Sequence, residues 1–307
     1  MQLEQLLAEL ADETKPVRYA ALSDMSDVAG EELEVMKGAW PKVPAPRRAE
    51  VVAKLLDLAE DNAELNFDAL FAFCLKDEHD QVREKAIAGL WESEERSLAT
   101  SFIRMLQCDP APNVREAAAQ ALGRYVDLSQ DGKLSMRDQE RLKEALLAAA
   151  TSAEQPIAVR LRALEACAAV HTPRVIALIS DTYASPDPKS RASALFAMGR
   201  NGDPQWQPVI LKELGSPLPD MRYEAAAACG QLGEAGLAPK LLPLLRDNDL
   251  QVRLAAIEAL GAIGGLLARK ALQAELQDAD QTVHDAAEAA LDHLQLLQDP
   301  LSFRPLR

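Results

Sequence analysis

Apolar residues recur along the chain at spacings of three and four, which is typical of one face of an amphipathic α-helix. The clearest copy of the pattern is DNDLQVRLAAIEALGAIG, residues 247–264, and related strings begin at Asp77, Asp109 and Ser216. Each copy contains an arginine, a small apolar residue three positions later and a larger one seven positions later. The arginines are Arg18, Arg48, Arg83, Arg115, Arg160, Arg191, Arg222 and Arg253, with His284 in the ninth place.

The period of this pattern predicts pairs of helices. From Arg160 to His284 the spacing is a constant 31 residues, and a second apolar segment such as APKLLPLLRD lies within each period. A period of that length accommodates two antiparallel helices, and stacking neighbours bury a continuous core. We therefore expect an all-α fold, an α-solenoid, in which about nine antiparallel helix pairs form a superhelical array. Residues 1–297 form a single solenoid in this interpretation, and residues 298–307 form a C-terminal tail.

Two polar or small columns accompany the arginine. The position six residues before it is often aspartate, which can cap a helix start or pair with the arginine of a neighbouring unit to form a ladder. A glycine column near the ends of the second helices is attributed to capping and to close packing. The aspartates are Asp12, Asp77, Asp109, Asp247 and Asp278, and the glycines are Gly123, Gly199, Gly230 and Gly261.

The repeated string D-x-x-x-x-V-R-x-x-A-x-x-A-L-G resembles the HEAT-repeat family, in its phycobilisome-lyase-like subtype. The stretch from Phe196 to Gly230 is similar to uncharacterised bacterial HEAT-repeat proteins. This resemblance implies a solenoid fold over nearly the whole chain. It does not imply one function, because the family includes scaffolds, chromophore lyases, a hydroxylase and DNA-repair proteins.

Charge narrows the choice of partner. The chain has 33 Lys and Arg against 48 Asp and Glu, a net charge of −15. Such a surface repels phosphate backbones and anionic membranes, so we expect no nucleic acid and no membrane among its ligands. A small basic patch of Arg124, Arg162 and Arg200 is the alternative, and the favoured interpretation is that these arginines are solvated side chains that balance nearby acids. The field favours a basic protein or peptide.

Several patterns indicate a cytoplasmic protein. The cysteines Cys74, Cys108, Cys167 and Cys229 lie far apart with no C-x-x-C pair, so we expect reduced thiols that pack in the interior. The N-terminal segment carries acids where a secretory signal would be basic, and no apolar run approaches the ~20 residues of a membrane helix.

No catalytic constellation is found in the sequence. The hydroxylases of the resembled family bind di-iron through His-Glu pairs, whereas no histidine of this chain is followed by glutamate. No glycine-rich phosphate loop is present either. We therefore expect no enzymatic activity and no cofactor, with calcium as the one exception considered below.

The second helices predict a binding face. Positions one, five and eight after the arginine lie opposite the core column, and stacked units would line them along a concave groove. An apolar stripe with acids beside it suits a basic or amphipathic polypeptide, so the chain is interpreted as a protein–protein interaction scaffold or adaptor. The alternative for these side chains is packing between units. The alternative function is an accessory or catalytic subunit, for example a chromophore-lyase-like protein that handles a bound cofactor. The face residues are Tyr19, Leu56, Glu84, Trp91, Glu116, Leu161, Glu165, Phe196, Tyr223, Leu254 and Glu258.

One interval is longer than the others. Arg115 and Arg160 are 45 residues apart, and the excess contains DLSQDGKLSMRD, residues 127–138. We expect an inserted loop over residues 126–138 between two units. Its pattern also resembles a calcium-binding loop. Two features count against calcium, namely an aspartate at position twelve and the lack of a second loop, and the S-x-x-D string from Ser135 is also a helix-capping box. The calcium candidates are Asp127, Ser129, Asp131, Lys133 and Asp138.

Overall fold

The computed structural model describes residues 3–298, and within that range it contains helices and connecting turns but no β-strand. The predicted tail, residues 298–307, lies outside the described residues except for Gln298. Contacts divide the chain into two compact units, Met1–Cys167 and Ala168–Arg307, which are described separately. The prediction of one uninterrupted solenoid domain stays a prediction.

The first unit is a layered array of helix pairs. Second helices pack side by side in one layer, in the order α3, α5, α7 and α9, and α4, α6 and α8 pack against them from the other layer. The α-helices of this unit are α1 (Leu3–Ala11), α2 (Glu31–Ala39), α3 (Ala45–Asp61), α4 (Asp68–Cys74), α5 (Asp80–Gly89), α6 (Arg96–Cys108), α7 (Pro112–Gln130), α8 (Met136–Thr151) and α9 (Ile157–Cys167). The first pair is atypical, because its second helix is the 3₁₀ segment Tyr19–Met25.

The second unit repeats the same plan with α11, α13, α15 and α17 as the packed second helices. Its α-helices are α10 (Pro173–Tyr183), α11 (Pro188–Asn201), α12 (Gln207–Glu213), α13 (Pro219–Leu232), α14 (Ala238–Leu241), α15 (Leu250–Ile263), α16 (Gly265–Glu275) and α17 (Gln281–Gln298). Short 3₁₀ segments precede α12 and flank α14. Nine pairs are present in the described residues of the two units, so the all-α solenoid prediction is confirmed.

The two predicted core columns are buried. Ala118 and Leu122 of α7, and Ala225 and Cys229 of α13, have no exposed surface. Small residues in the first column let the helices approach, and the larger ones in the second fill the space between layers. The periodicity of the sequence therefore located the core correctly.

The predicted arginine–aspartate ladder is present. Arg83 donates to both carboxylate oxygens of Asp109 at 2.9 and 2.7 Å, and Arg222 to those of Asp247 at 2.7 Å each. Each arginine also donates to a carbonyl oxygen of its own pair, that of Asp77 at 2.9 Å for Arg83. A rung therefore fixes the loop of its own pair and the loop of the next pair with one planar guanidinium.

Some rungs use other partners. Arg115 donates to Gln155 at 2.9 Å, Arg191 pairs with Glu213 at 3.0 Å, and Arg253 pairs with Asp280 at 3.4 Å instead of the expected Asp278. Asp278 instead accepts the backbone N–H of Asp280 at 2.9 Å. The ladder thus continues where the aspartate column of the sequence does not.

The glycine column serves close packing, not capping. A Cβ on Gly199, Gly230 or Gly261 would lie 2.7 to 3.0 Å from an alanine of the next second helix, namely Ala228, Ala259 and Ala290. The helix ends are capped instead by Gly202 and Gly233 in the left-handed conformation, with φ of 70° and 65°. The prediction that these column glycines cap the second helices was therefore wrong, and the prediction of close packing was right.

The prediction of an inserted loop over residues 126–138 was also wrong. Residues 126–130 are the last residues of α7, and residues 136–138 are the first of α8, so the linker spans only residues 131–135. The extra residues lengthen two helices, because α7 has 19 residues whereas α13 has 14. Buried Val126, Leu128 and Leu134 explain this, since they extend the apolar face of α7 and anchor the linker.

No helix among the described residues combines the length and the apolar character needed to cross a membrane.

Candidate interaction surface

The predicted face lies outside the core. None of its eleven residues is buried, and Trp91, Tyr19 and Tyr223 are exposed by 63%, 44% and 36%. The side chains of Leu56, Leu161, Phe196 and Leu254 are half-buried, as are Glu84, Glu116 and Glu165, while Glu258 is exposed. Large apolar groups therefore reach solvent from both units.

Two of these residues are not on α-helices. Tyr19 begins the 3₁₀ segment Tyr19–Met25, and Trp91 follows the end of α5 in the linker to α6. Periodicity predicted one continuous helical row, whereas α5 ends at Gly89. A Cβ at Gly89 would lie 2.5 Å from the ring of Phe71, so α4 and α5 make contact at that end of the helix.

Tyr19 already holds partners within the chain. Its hydroxyl donates to Glu50 at 2.7 Å, and the Lys54 ammonium lies 5.3 Å from the centre of its ring. The hydrogen bond to Glu50 raises the pKa of the Tyr19 hydroxyl. The contact with Lys54 shows that the ring of Tyr19 binds a cation through its face. A cation of a partner would have to displace Lys54 to make the same contact.

Several acids of the face already have partners within the chain. Arg162 lies 3.5 Å from Glu116 and 2.6 Å from Glu165, and Glu84 accepts a hydrogen bond from Asn113 at 2.6 Å. Arg124 pairs with Glu94 at 2.9 Å. Both arginines therefore balance nearby acids, as the sequence indicated.

Tyr223 lies in a negative surrounding in the second unit. Partial burial, together with Glu224 and Glu258, raises the pKa of its hydroxyl. Asp285 and Glu288 are exposed on α17, which packs against α15 on the far side from α13. An aromatic ring with several carboxylates nearby suits a cationic partner.

Among the described residues, Asp127, Asp131 and Asp138 do not bring carboxylate oxygens within 4.8 Å of one another as a group. Asp127 and Ser129 lie in the last turns of α7, where their carbonyl oxygens accept the N–H groups of Asp131 and Gly132. Lys133 pairs with Glu94 at 2.8 Å. Ser135 accepts the N–H of Asp138 at 3.2 Å, which is the predicted capping interaction. Calcium binding by the pattern of the sequence would require α7 to unwind.

One other group of possible metal ligands occurs in the part of the chain that the structure describes. His284, Asp285 and Glu288 place ligand atoms within 4.8 Å of one another on the first turns of α17. All three are at least partly exposed, and Asp285 also accepts from Gln281 at 2.6 Å. The cluster has no further feature that points to an ion.

The cysteines separate into two classes. Cys74, Cys167 and Cys229 are buried, and burial raises the pKa of the Cys167 and Cys229 thiols to about 12. Such thiols remain protonated and are poor nucleophiles. Cys108 is exposed at the end of α6, so the expectation that it packs in the interior was wrong.

Two shallow pockets lie on the first-helix side, away from the predicted face. One of about 420 Å³ lies between α6 and α8 and is lined by Ile103, Arg141 and Glu144, among others. The second, of about 410 Å³, lies between α1 and α2. An extended polypeptide does not require such a cavity, because it binds across a surface.

The sequence interpretation missed the acids around Trp91. Asp68 at the start of α4 and Glu92, Glu94 and Glu95 in the α5–α6 linker are all exposed. The string WESEE, which begins at Trp91, was the available signal, because it places three acids directly after an aromatic residue.

Comparison with known proteins is consistent with this architecture. A family model described as HEAT repeats matches residues 67–135, 177–249 and 207–292, which is more than half of the chain. No curated protein matches the sequence.

Solved structures that are similar to the chain include three at low sequence identity. The E. coli protein YibA is 19% identical over 78% of this chain and 96% of its own, with a TM-score of 0.45. Human deoxyhypusine hydroxylase, in complex with glycerol, is 20% identical over 95% of this chain and 96% of its own, with a TM-score of 0.33. The complex of CpcE and CpcF of phycocyanin lyase from Nostoc is 21% identical over 96% of this chain and 95% of its own, with a TM-score of 0.47.

Proposed function

The chain belongs to the HEAT-repeat family, and from that premise we propose that it is a non-catalytic protein-interaction scaffold. In this proposal the eleven residues of the predicted face, which we call the second-helix face, bind a basic or amphipathic polypeptide. Solenoids suit this role because stacked helices present an extended surface that a long partner can follow.

The observation that carries the proposal is the exposure of the second-helix face. Seven of its eleven residues are aromatic or leucine, and not one is buried in the core. Large apolar side chains that are exposed or only half-buried are typical of a contact surface. The net charge of −15 then favours a basic partner.

The test is affinity capture from the native cell with mass spectrometry, using the wild type and Phe196→Ala/Tyr223→Ala. We expect a protein with a basic segment to be recovered by the wild type and lost by at least about tenfold with the double variant, because aromatic anchors dominate such interfaces. The matched control is Leu266→Ala/Leu267→Ala, which removes two exposed apolar side chains of the same unit from α16. Recovery should be unchanged with the control.

Thermal unfolding of the three proteins separates binding from folding. We expect melting temperatures within a few degrees of each other, because Phe196 and Tyr223 are not in the core. A collapse of the melting temperature in Phe196→Ala/Tyr223→Ala, or equal loss of recovery in the control, would contradict the proposal. A chromophore or metal that co-purifies with the wild type would favour the accessory or catalytic subunit instead.

A further inference from the structure

Trp91 differs from the other two tryptophans of the chain. Trp40 and Trp206 are exposed by 2% and 5%, whereas Trp91 is exposed by 63%. Trp40 and Trp206 also donate their ring N–H to Asp77 and Asn201, each at 2.9 Å. They are structural residues, and the exposed indole of Trp91 is available for contact with another molecule.

The linker that carries Trp91 is held in a fixed conformation. The hydroxyl of Tyr125 donates to the carbonyl oxygens of Ser93 and Glu95, at 3.1 and 3.2 Å. Tyr125 itself is buried in α7, with its ring edge-on to Phe102 at 6.0 Å. Because a buried side chain holds two carbonyls of the linker, the surface beside Trp91 is pre-organised.

Acids around Trp91 differ in whether they are neutralised. Glu94 is paired with Arg124 at 2.9 Å and with Lys133 at 2.8 Å. Asp68 and Glu92 have no ion pair or side-chain hydrogen bond within residues 3–296, and the carboxylate of Glu95 accepts only from the hydroxyl of Ser97 in that range.

The unpaired acids lie close enough to repel one another. Partial burial, and then the charges of Glu95 and Glu92, raise the pKa of Asp68. Arg124 and Lys133 both pair with Glu94. No cation among the described residues is paired with Asp68, Glu92 or Glu95. A cation supplied from outside would relieve this repulsion.

We propose that Trp91, Asp68, Glu92 and Glu95, which we call the Trp91 patch, form a docking surface for an arginine-containing segment of the partner polypeptide. Arginine fits better than lysine, because a guanidinium stacks on an indole face and donates two parallel hydrogen bonds to a carboxylate. This inference rests on the proposed scaffold function and specifies the chemistry of the partner at one position.

The experiment uses a tetra-arginine peptide with blocked termini as the probe, with affinity measured by isothermal titration of the whole chain. We expect binding that weakens with salt, because exposed charges are screened. Asp68→Asn/Glu92→Gln should weaken the affinity by about tenfold and Trp91→Leu by about three- to fivefold. Tetra-lysine should bind less tightly than tetra-arginine.

Tryptophan emission locates the bound peptide. Because only Trp91 among the three tryptophans is exposed, its emission should shift with tetra-arginine and become protected from acrylamide. The matched control is Glu31→Gln/Glu32→Gln, which removes two exposed acids at the start of α2. If this control weakens binding as much as Asp68→Asn/Glu92→Gln, or if Trp91 emission does not respond, the Trp91 patch is not a docking surface.

Failure of the patch and failure of the scaffold give different results. Loss of native-partner capture in Phe196→Ala/Tyr223→Ala with no tetra-arginine binding would overturn the patch alone. Tetra-arginine binding at Trp91 with capture unaffected by Phe196→Ala/Tyr223→Ala would support the patch and overturn the wider second-helix face.

Discussion

At the scale of single residues, ladder arginines such as Arg83 and Arg222 make hydrogen bonds to their own helix pair and to the next one. Arg222 joins both oxygens of Asp247 to the carbonyl of Ser216, which it reaches at 2.9 Å. The side chains of Arg222 and Asp247 are exposed by only 16% and 8%. An ion pair so shielded contributes more than a surface pair, because removal of one partner leaves a charge that water solvates poorly.

The first prediction concerns Asp247→Asn and its dependence on pH. Hydrogen bonding from Arg222 lowers the pKa of Asp247 below that of an unfolded aspartate. The stabilisation is therefore fully present above the unfolded pKa of about 3.9 and is lost as the pH falls through the folded value. At neutral pH we expect the substitution to lower the free energy of unfolding by about 1–3 kcal/mol.

Urea unfolding at a series of pH values measures this difference. The difference between the wild type and Asp247→Asn should shrink from pH ~5 to pH ~3. In an Arg222→Gln background the same substitution should show a smaller dependence on pH, because the cation that lowers the pKa of Asp247 is absent. A difference that is constant with pH would contradict the prediction.

The second prediction concerns thiol reactivity. Cys108 is exposed, whereas Cys74, Cys167 and Cys229 are buried and burial raises the pKa of each of the three thiols. We expect a thiol reagent to modify one cysteine per native chain rapidly and the other three only on unfolding. Cys108→Ser should remove the rapid phase, and persistence of that phase would show that another thiol is accessible.

At the scale of elements, the separation between neighbouring second helices is set by single glycines. The third prediction is that Gly230→Ala lowers the free energy of unfolding by about 1–3 kcal/mol, because the new Cβ would lie 2.9 Å from the Cα of Ala259. Chemical denaturation measures it.

Gly38→Ala is the matched control for Gly230→Ala. Gly38 lies in α2 with no atom within 4 Å of a Cβ placed there, so this substitution should be neutral or stabilising by up to about 1 kcal/mol. Equal effects of the two substitutions would mean that close approach of α13 and α15 does not determine the result.

The fourth prediction concerns the end of α7. Asp127 and Ser129 lie on that helix, and Ser135 and Asp138 form the capping interaction of α8. We expect isothermal titration with millimolar calcium to give no saturable heat, because a calcium loop would need ligands that converge on one point. A saturable signal that disappears in Asp127→Ala would establish a calcium site and show that α7 unwinds.

Helix pairs, core columns and ladder were predictable from the sequence because each follows from a local period. The excess between Arg115 and Arg160 predicts an inserted loop, because its pattern resembles a calcium-binding loop, yet α7 continues to Gln130. Burial of Val126 and Leu128 decided that boundary, and the spacing of Leu122, Tyr125 and Val126 was the local signal that α7 continues. The string WESEE signalled the acids that follow Trp91, but the addition of Asp68 to them was not predictable, since it depends on how α4 packs against α5.

At the scale of the whole molecule, each second helix is stabilised chiefly by its neighbours in sequence order. In such arrays stability is approximately a sum of pair terms and nearest-neighbour terms. The ladder and the glycine contacts of the second unit both connect consecutive pairs, so damage to one junction should remain local.

The fifth prediction follows from this arrangement. Arg222→Ala should speed amide hydrogen exchange in α13 and α15, which flank the lost rung, more than in α10 and α17. Hydrogen exchange with mass spectrometry measures all four helices in one sample. A uniform increase over the four would show that the second unit opens as one cooperative body instead.

The glycine–alanine contacts also give each junction a direction. Gly199, Gly230 and Gly261 face Ala228, Ala259 and Ala290. One edge of each helix pair therefore presents a glycine, and the other edge presents the alanine that packs against the glycine of the preceding pair. A gene duplication that copies a whole pair keeps both halves in register and adds a junction without a clash. Reversal of a pair, or a duplication that begins within a pair, would place two glycines or two alanines opposite each other. The number of pairs is therefore easier to change in evolution than their order of packing.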